Sequence, residues 1–333
     1  MKKRKFKKIM PIFLSMVLIA CFIPRYNLYA KSKPTIYIMG DSIAHSYEGN
    51  RYQNGWGQML YKYFKYPSKK KTVHVKGASD YVDVVRYNMP EISIENWAKN
   101  GASVAIYDEY GMFQSIQKKL KKGDYVFIQL GHNEVYTQWW TGSTVSEYQT
   151  YLIDYIKKIR SKKAIPVLIT PPVNTSGKYA PYVPQYRTAM ISVGKKYKVP
   201  LLDLGKKSAD YFNLVGKKQA RTMYVKDNMH FTPKGATQLA KILSVEIKYK
   251  SQLKPISGKI RLKTNSLYKT INKASKLKSK RYSKKTWRYM QKKLKSSKKL
   301  LYSNTVKQKS IDKSNANLKK AMKKLRKVKK HKK

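Results

Sequence analysis

The chain has 333 residues, enough for about two domains, with 73 Lys and Arg against 17 Asp and Glu, a formal net charge of +56. So large an excess repels itself, and its natural partner is a polyanion: nucleic acid, anionic lipid, or an acidic wall or plant polysaccharide. The single cysteine, Cys21, excludes an intrachain disulfide framework.

The N-terminus selects among those partners. Residues 1–8 are strongly basic, 9–23 are apolar, and Leu28-Tyr29-Ala30 offers a small residue for cleavage before Lys31. This pattern predicts a secretory signal peptide over 1–30, and the apolar run is too short for a membrane span. Export to the outside of the cell, free or held at the wall, removes nucleic acid from the candidates. Leu18-Ile19-Ala20-Cys21 is also similar to a lipoprotein processing site, against which Phe22-Ile23 prolong the apolar run where small residues usually follow.

From 31 to 252 the pattern alternates between strand and helix. Apolar runs at 35–39, 125–130, 165–170 and 200–204, with a weaker one at 92–97, are short, rich in β-branched or aromatic residues and bounded by Gly, Pro or Asp. They predict five buried parallel strands. Helical stretches are predicted near 57–64, 113–121, 145–162, 184–198 and 233–250, the last opened by Thr232 as N-cap and Pro233 at the first helical position. The expected fold class is α/β, three layers around a five-stranded parallel sheet. About twenty residues, 72–91, read as an insertion before the second strand.

Composition shifts near Pro255. Residues 254–333 carry 31 Lys and Arg and a single acid, Asp312. Helical periodicity persists through three stripes: Leu267, Ile271, Ala274, Leu277; Trp287, Met290, Leu294, Leu301, with Ser283 placed to cap; and Ile311, Leu318, Met322, Leu325. The expectation is a linker over 253–262, a small all-α three-helix bundle over 263–328 and a solvated basic tail over 329–333.

Chemistry is carried by the loops that follow the strands. In a doubly wound sheet, ligands bind at the carboxyl ends of the strands. Gly40-Asp41-Ser42 follows the first strand, Asn100-Gly101-Ala102 the second, and Gly131-His132-Asn133-Glu134 the third, so all three fall on one edge. Acyl transfer needs donors aimed at a developing oxyanion, and the N–H groups of Ser42 and Gly101 with the Asn133 amide supply them. Five histidines are present: His45, His74, His132, His230 and His331. Only His230 has an acid in a motif beside it. Asp227, three residues earlier, can hold one imidazole nitrogen while the other faces the Ser42 hydroxyl.

These four blocks, in this order, resemble those of the SGNH (GDSL-type) hydrolases over about 34–250. Asn54-Gly55-Trp56-Gly57-Gln58 and His230-Phe231-Thr232-Pro233 are similar to the rhamnogalacturonan acetylesterase branch. The resemblance implies a flavodoxin-like SGNH fold, catalytic residues Ser42, Asp227 and His230, an oxyanion hole of Ser42, Gly101 and Asn133, and no metal or cofactor. It departs at Glu134, where the family usually has Asp, and at Gly101-Ala102-Ser103, where an arginine usually follows the glycine. Tyr136, Trp139 and Trp140 are candidates for a sugar-stacking platform, with core packing the competing reading. Tyr282 to Trp287, Leu294, Gln308, Ile311, Asp312, Leu318 and Leu325 resemble the FIVAR module of extracellular bacterial proteins.

The expected activity is a secreted, monomeric carbohydrate O-acetylesterase, acting on acetylated polysaccharide. Its basic C-terminal module is expected to meet an anionic wall polymer or pectin. Two other readings stay open: a polysaccharide O-acetyltransferase using the same triad, and a wall-binding protein in which the basic module dominates. A long-chain lipase is disfavoured because no broad apolar groove is evident.

Overall fold

Alternate residues of the central strands feed two separate hydrophobic clusters, and this divides the molecule into layers. In β1 (Thr35–Gly40), Ile36 and Ile38 join one cluster while Tyr37 and Met39 join the other. The same alternation holds in β5 (Tyr125–Gln129), where Tyr125 and Phe127 oppose Val126 and Ile128. A period of two with both faces apolar is what a strand covered by helices on each side requires. The computed structural model describes residues 33–65, 73–76 (backbone only), 83–136, 142–174 and 183–328. The expected signal peptide with Cys21, the Trp139-Trp140 pair and the 329–333 tail lie outside the described residues.

The other strands are β2 (Val73–Lys76), β3 (Asp83–Asn88), β4 (Ser93–Asn96), β6 (Ile165–Ile169) and β7 (Leu201–Leu202), in the sheet order β2-β3-β4-β1-β5-β6-β7. The five expected strands are β1, β4, β5, β6 and β7, and these run parallel. The expectation of a sheet of only five is corrected to a mixed sheet of seven. The 72–91 insertion supplies β2 and β3, an antiparallel pair added beside β4. Its lysines and scattered polar residues hid a strand pattern, but Arg86 and Glu95 pair across β3 and β4 and fix the register.

Helices α1 (Trp56–Met59), α6 (Leu204–Val215), α7 (Lys217–Arg221) and α8 (Pro233–Tyr249) cover one face. Helices α2 (Val104–Glu109), α3 (Met112–Lys119), α4 (Val145–Ser161) and α5 (Pro184–Lys196) cover the other. Thr232 does cap α8, accepting the Gly235 N–H at 3.3 Å, with Pro233 in its first turn. Helix α6 begins where a strand was expected to continue. Asp203 caps it, accepting the Lys206 N–H at 3.2 Å, so β7 stops after two residues.

The stretch read as a linker is packed. It forms α9 (Lys254–Ser257), and Leu253, Ile256 and Ile260 are buried in the same cluster as β1 and α8. Beyond it, α10 (Asn265–Ser275), α11 (Lys284–Tyr302) and α12 (Gln308–Lys323) share a cluster of Leu267, Ile271, Met290, Leu294, Ile311 and Leu318. Ser283 occupies the N-cap position of α11, but its hydroxyl meets that of Thr286 at 2.8 Å rather than a backbone N–H. The cluster also takes in Val245 of α8, which ties these helices to the α/β layers.

Candidate active site

The turn that carries Ser42 follows β1 because the chain folds tightly back on itself at Gly40. A Cβ there would come within 2.7 Å of the Ala44 Cβ. The Asp41 carbonyl accepts the N–H groups of Ala44 and His45 at 3.0 and 3.1 Å, and its carboxylate accepts the Ile43 N–H at 2.9 Å. Asp41 and Ile43 are buried and Ser42 between them is half-exposed, so the turn presents one hydroxyl outward. His45, close to Ser42 in sequence, has its Nδ1 2.6 Å from the Ala98 carbonyl and helps anchor this turn to the loop after β4.

The Asn54–Gln58 stretch has a local physical role. Its Gly55 and Trp56 N–H groups donate to the His45 and Ile43 carbonyls at 3.1 and 2.9 Å, and the Asn54 N–H donates to the Phe231 carbonyl at 3.0 Å. That last bond joins the stretch packed on the Ser42 turn to the residue after His230.

His230 sits in a short antiparallel loop closed by the Tyr224–Phe231 bridge. Asp227 accepts the Met229 and His230 N–H groups at 2.9 and 3.0 Å through one oxygen, while Asn228 takes the left-handed conformation at φ 64°. Asparagine tolerates that region better than most side chains. The second Asp227 oxygen accepts from His230 Nδ1 at 2.6 Å, and His230 Nε2 lies 2.9 Å from Ser42 Oγ. Partial burial works against the Asp227 charge, but the His230 ring and the two N–H donors outweigh it and hold its carboxyl below the usual range. Asp227 is therefore a carboxylate at neutral pH, Nδ1 carries the proton, and Nε2 is free to take one from Ser42.

Gly101 and Asn133 lie at the same edge, after β4 and β5. Gly101 adopts φ +72°, and a Cβ built there would meet nothing within 4 Å, so the backbone conformation rather than crowding calls for glycine. Asn133 donates one amide hydrogen to the Ala102 carbonyl at 2.8 Å, which fixes the amide and leaves its second hydrogen available. The next residue repeats the stitch: Glu134 accepts the Val104 N–H at 3.0 Å, at the start of α2. Together these bonds set the spacing of the Gly101 loop and Asn133.

Next to Ser42 lies a buried polar cluster whose extent sequence reasoning missed. Asp41 Oδ2 accepts from Gln129 Nε2 at 3.0 Å and from His132 Nδ1 at 2.8 Å, and Gln129 in turn accepts the Trp56 indole N–H at 2.9 Å. Burial lowers the His132 pKa, but Asp41, Glu134 and a hydrogen bond to the Pro172 carbonyl together raise it above the ordinary value. His132 is buried against Asp41 and the Pro172 carbonyl and so ties the loop after β5 to the Ser42 turn. Glu134 is fully buried, and burial, reinforced by Asp41, pushes its carboxyl up to about 7. The sequence signal was the polar run Gln129 to Glu134 at the end of a buried strand, which no spacing rule connects to Asp41.

Tyr136 is 40% exposed on the turn after Asn133, and its N–H donates to the Asn133 carbonyl at 3.1 Å. His74 falls in β2, at the far edge of the sheet from β7. The structure thus brings together Ser42, Asp227 and His230 directly, with Gly101 and Asn133 on loops of the same sheet edge.

Residues 36–243 match the GDSL-like lipase/acylhydrolase family. Two proteins of Bacillus subtilis (strain 168) align with the chain. It is 31% identical over 229 residues to the probable rhamnogalacturonan acetylesterase YesY, covering 64% of this chain and 92% of that protein. It is 28% identical over 171 residues to the rhamnogalacturonan acetylesterase RhgT, covering 46% and 73% respectively. Among solved structures, protein YxiM of Bacillus subtilis superposes with a TM-score of 0.54 at 26% identity, over 65% of this chain and 56% of that one. The match spans the sheet, both helical layers and all the loops just described, and by it the chain belongs to the GDSL-like lipase/acylhydrolase family, a family of carboxylic ester hydrolases.

Proposed function

We propose that the protein is a secreted serine esterase that removes O-acetyl groups from an acidic polysaccharide, of the rhamnogalacturonan type on which its named relatives act. The observation that carries the chemistry is His230 bridging Asp227 at 2.6 Å and Ser42 at 2.9 Å. Ser42 Oγ attacks the acetyl carbonyl as His230 Nε2 takes its proton, and Asp227 stabilises the imidazolium that forms. The Ser42 and Gly101 N–H groups and the Asn133 amide receive the oxyanion. His230 then protonates the departing sugar oxygen. A water, deprotonated by the same nitrogen, attacks the acetyl-serine; acetate leaves and Ser42 regains its proton.

The polysaccharide part of this reading is supported by the names of the two Bacillus relatives. Tyr136, with Trp139 and Trp140, is assigned to stacking against the sugar rings, whose apolar faces suit aromatic side chains. Export is supported by the basic-then-apolar N-terminus with its small residue at Ala30, which assigns 1–30 to a signal peptide and the mature chain to the cell exterior or wall. The C-terminal helices are assigned to a FIVAR-like module over 263–328 that meets an anionic polymer. Support comes from the stacked rings of Tyr282 and Trp287, 5.9 Å apart, and from Gln308, whose amide bonds the Lys263 backbone and Asp312.

The test is acetate release from acetylated rhamnogalacturonan by the wild type and by Ser42→Ala. The wild type should release acetate and the variant none, with an unchanged circular dichroism spectrum. Near-normal release by the variant would refute the mechanism, and acetyl transferred to added glycan in place of free acetate would make the enzyme a transferase.

A further inference from the structure

We propose that the cleft between α6 and the C-terminal helices is a binding site for a carboxylate-bearing oligosaccharide, a run of uronate sugars held apart from the acetyl ester at Ser42. The proposal rests on the acidic-polysaccharide reading above and names where the acidic part of that polymer is gripped.

The cleft has a volume of about 650 Å³ and is lined from three elements: α6, α10 and α11. That volume lies within the range of sites for small organic ligands and far exceeds what one inorganic anion fills. Its walls combine tyrosines (Tyr211, Tyr268, Tyr302), amides (Asn213, Asn272) and lysines. Flat rings, amides and cations together match a sugar bearing hydroxyls and a carboxylate.

The charges decide its sign. Asp210 is taken up by Lys206, whose ammonium lies 3.0 and 2.7 Å from its two oxygens. Glu246, behind the cleft, accepts the Tyr268 and Tyr302 hydroxyls at 3.1 and 2.9 Å and pairs with Lys207 at 3.4 Å. The acids are therefore matched internally. Lys295 and Lys298, one turn apart on α11, face the cleft with no ion-pair partner among the described residues. An entering carboxylate would meet uncompensated positive charge on one wall and the Asn213 and Asn272 amides on the others, in a partly enclosed space where pairing is screened less than on open surface.

The test is calorimetric titration of the full chain with trigalacturonate, which carries no ester, and with the neutral trisaccharide galactotriose, at one fixed ionic strength. Two variants change net charge equally. Lys295→Glu/Lys298→Glu alters the cleft, whereas Lys284→Glu/Lys292→Glu alters exposed positions of α11 outside it. The wild type should bind trigalacturonate saturably and galactotriose not at all. The cleft variant should bind at least about tenfold more weakly, and the outer variant within about twofold of wild type. Absence of saturable binding, equal weakening by both variants, or equal binding of galactotriose would overturn the site. Hydrolysis of p-nitrophenyl acetate, measured alongside, reads Ser42 chemistry alone. Its absence in the wild type would count against the esterase reading without bearing on the binding result.

Discussion

Ser42 and His230, 188 residues apart in the chain, meet at 2.9 Å, and the Asn54 N–H to Phe231 carbonyl bond at 3.0 Å fastens the two segments beside them. Ser42 and His230 are thus positioned by backbone hydrogen bonds as well as by the fold of the sheet.

Asp227 has two separable duties, one oxygen shaping the turn and the other holding His230. Asp227→Asn can keep an oxygen on the turn but loses the carboxylate that stabilises the imidazolium. Its kcat should fall by about 10²–10⁴ with little change in KM or melting temperature. Asp227→Ala should lose comparable kcat and also melt earlier. Steady-state kinetics with thermal scans of both variants check this, and equal melting temperatures would show the turn does not depend on the carboxyl.

Gly101→Ala tests the oxyanion loop. The φ of +72° disfavours any L side chain by about 1–2 kcal/mol, while the space around it is open. The loop should relax toward negative φ and move its N–H, so kcat should drop by about tenfold or more with the fold intact. Kinetics on p-nitrophenyl acetate, with a melting curve as control, report the outcome.

Glu134 should make stability fall as pH rises. Its carboxyl, displaced from 4.5 to about 7 by burial and Asp41, stays protonated in the folded state over a range where the unfolded chain has already ionised. Between those values the folded protein binds more protons than the unfolded one, so this group's contribution declines with rising pH and is lost above about 7. Asp41 and His132 face the same buried space. Glu134→Gln, which mimics the protonated form, should therefore gain on wild type by about 2–3 kcal/mol between pH 5 and pH 8. Urea unfolding at the two pH values measures the difference, and a constant offset would show that Glu134 does not titrate there.

Lys241 has the opposite sign. It is buried on α8, 1% exposed, with its ammonium 5.6 Å from the Tyr63 ring, and burial with Arg261 lowers its pKa to about 8. The folded state gives up this proton more readily than the unfolded one, so stability should rise between about pH 8 and 10.5. Lys241→Met should be more stable at pH 7 by about 1–3 kcal/mol, an advantage that shrinks as pH approaches 10. Melting temperatures across that range check it.

The sequence exposed much of this. Strands β1, β5 and β6 were legible because they are buried on both faces and almost wholly apolar, whereas β4, with Ser93, Glu95 and Asn96 buried, gave a weaker signal; Gly40-Asp41-Ser42, Gly131-His132-Asn133 and Asp227 to His230 announced themselves as polar loops. The β2–β3 pair was not legible: it lies at the sheet edge, where apolar alternation is not demanded. Helix α6 was hidden because its cap, Asp203, directly follows β7 with no loop between strand and helix. The pairing of Asp41 with His132 spans 91 residues and has no local signature.

Glu246 carries a practical lesson for handling the protein. Its carboxylate is satisfied by Tyr268 and Tyr302 from the C-terminal helices, and the Gln238 amide donates to the Tyr302 carbonyl at 2.6 Å. A shortened chain ending near 252 would strip these partners from α8, uncover Val245 and remove Leu253, Ile256 and Ile260 from the core. The C-terminal helices therefore act as part of the enzyme's foundation, and a trimmed catalytic fragment is expected to express poorly and aggregate unless that face of α8 is redesigned.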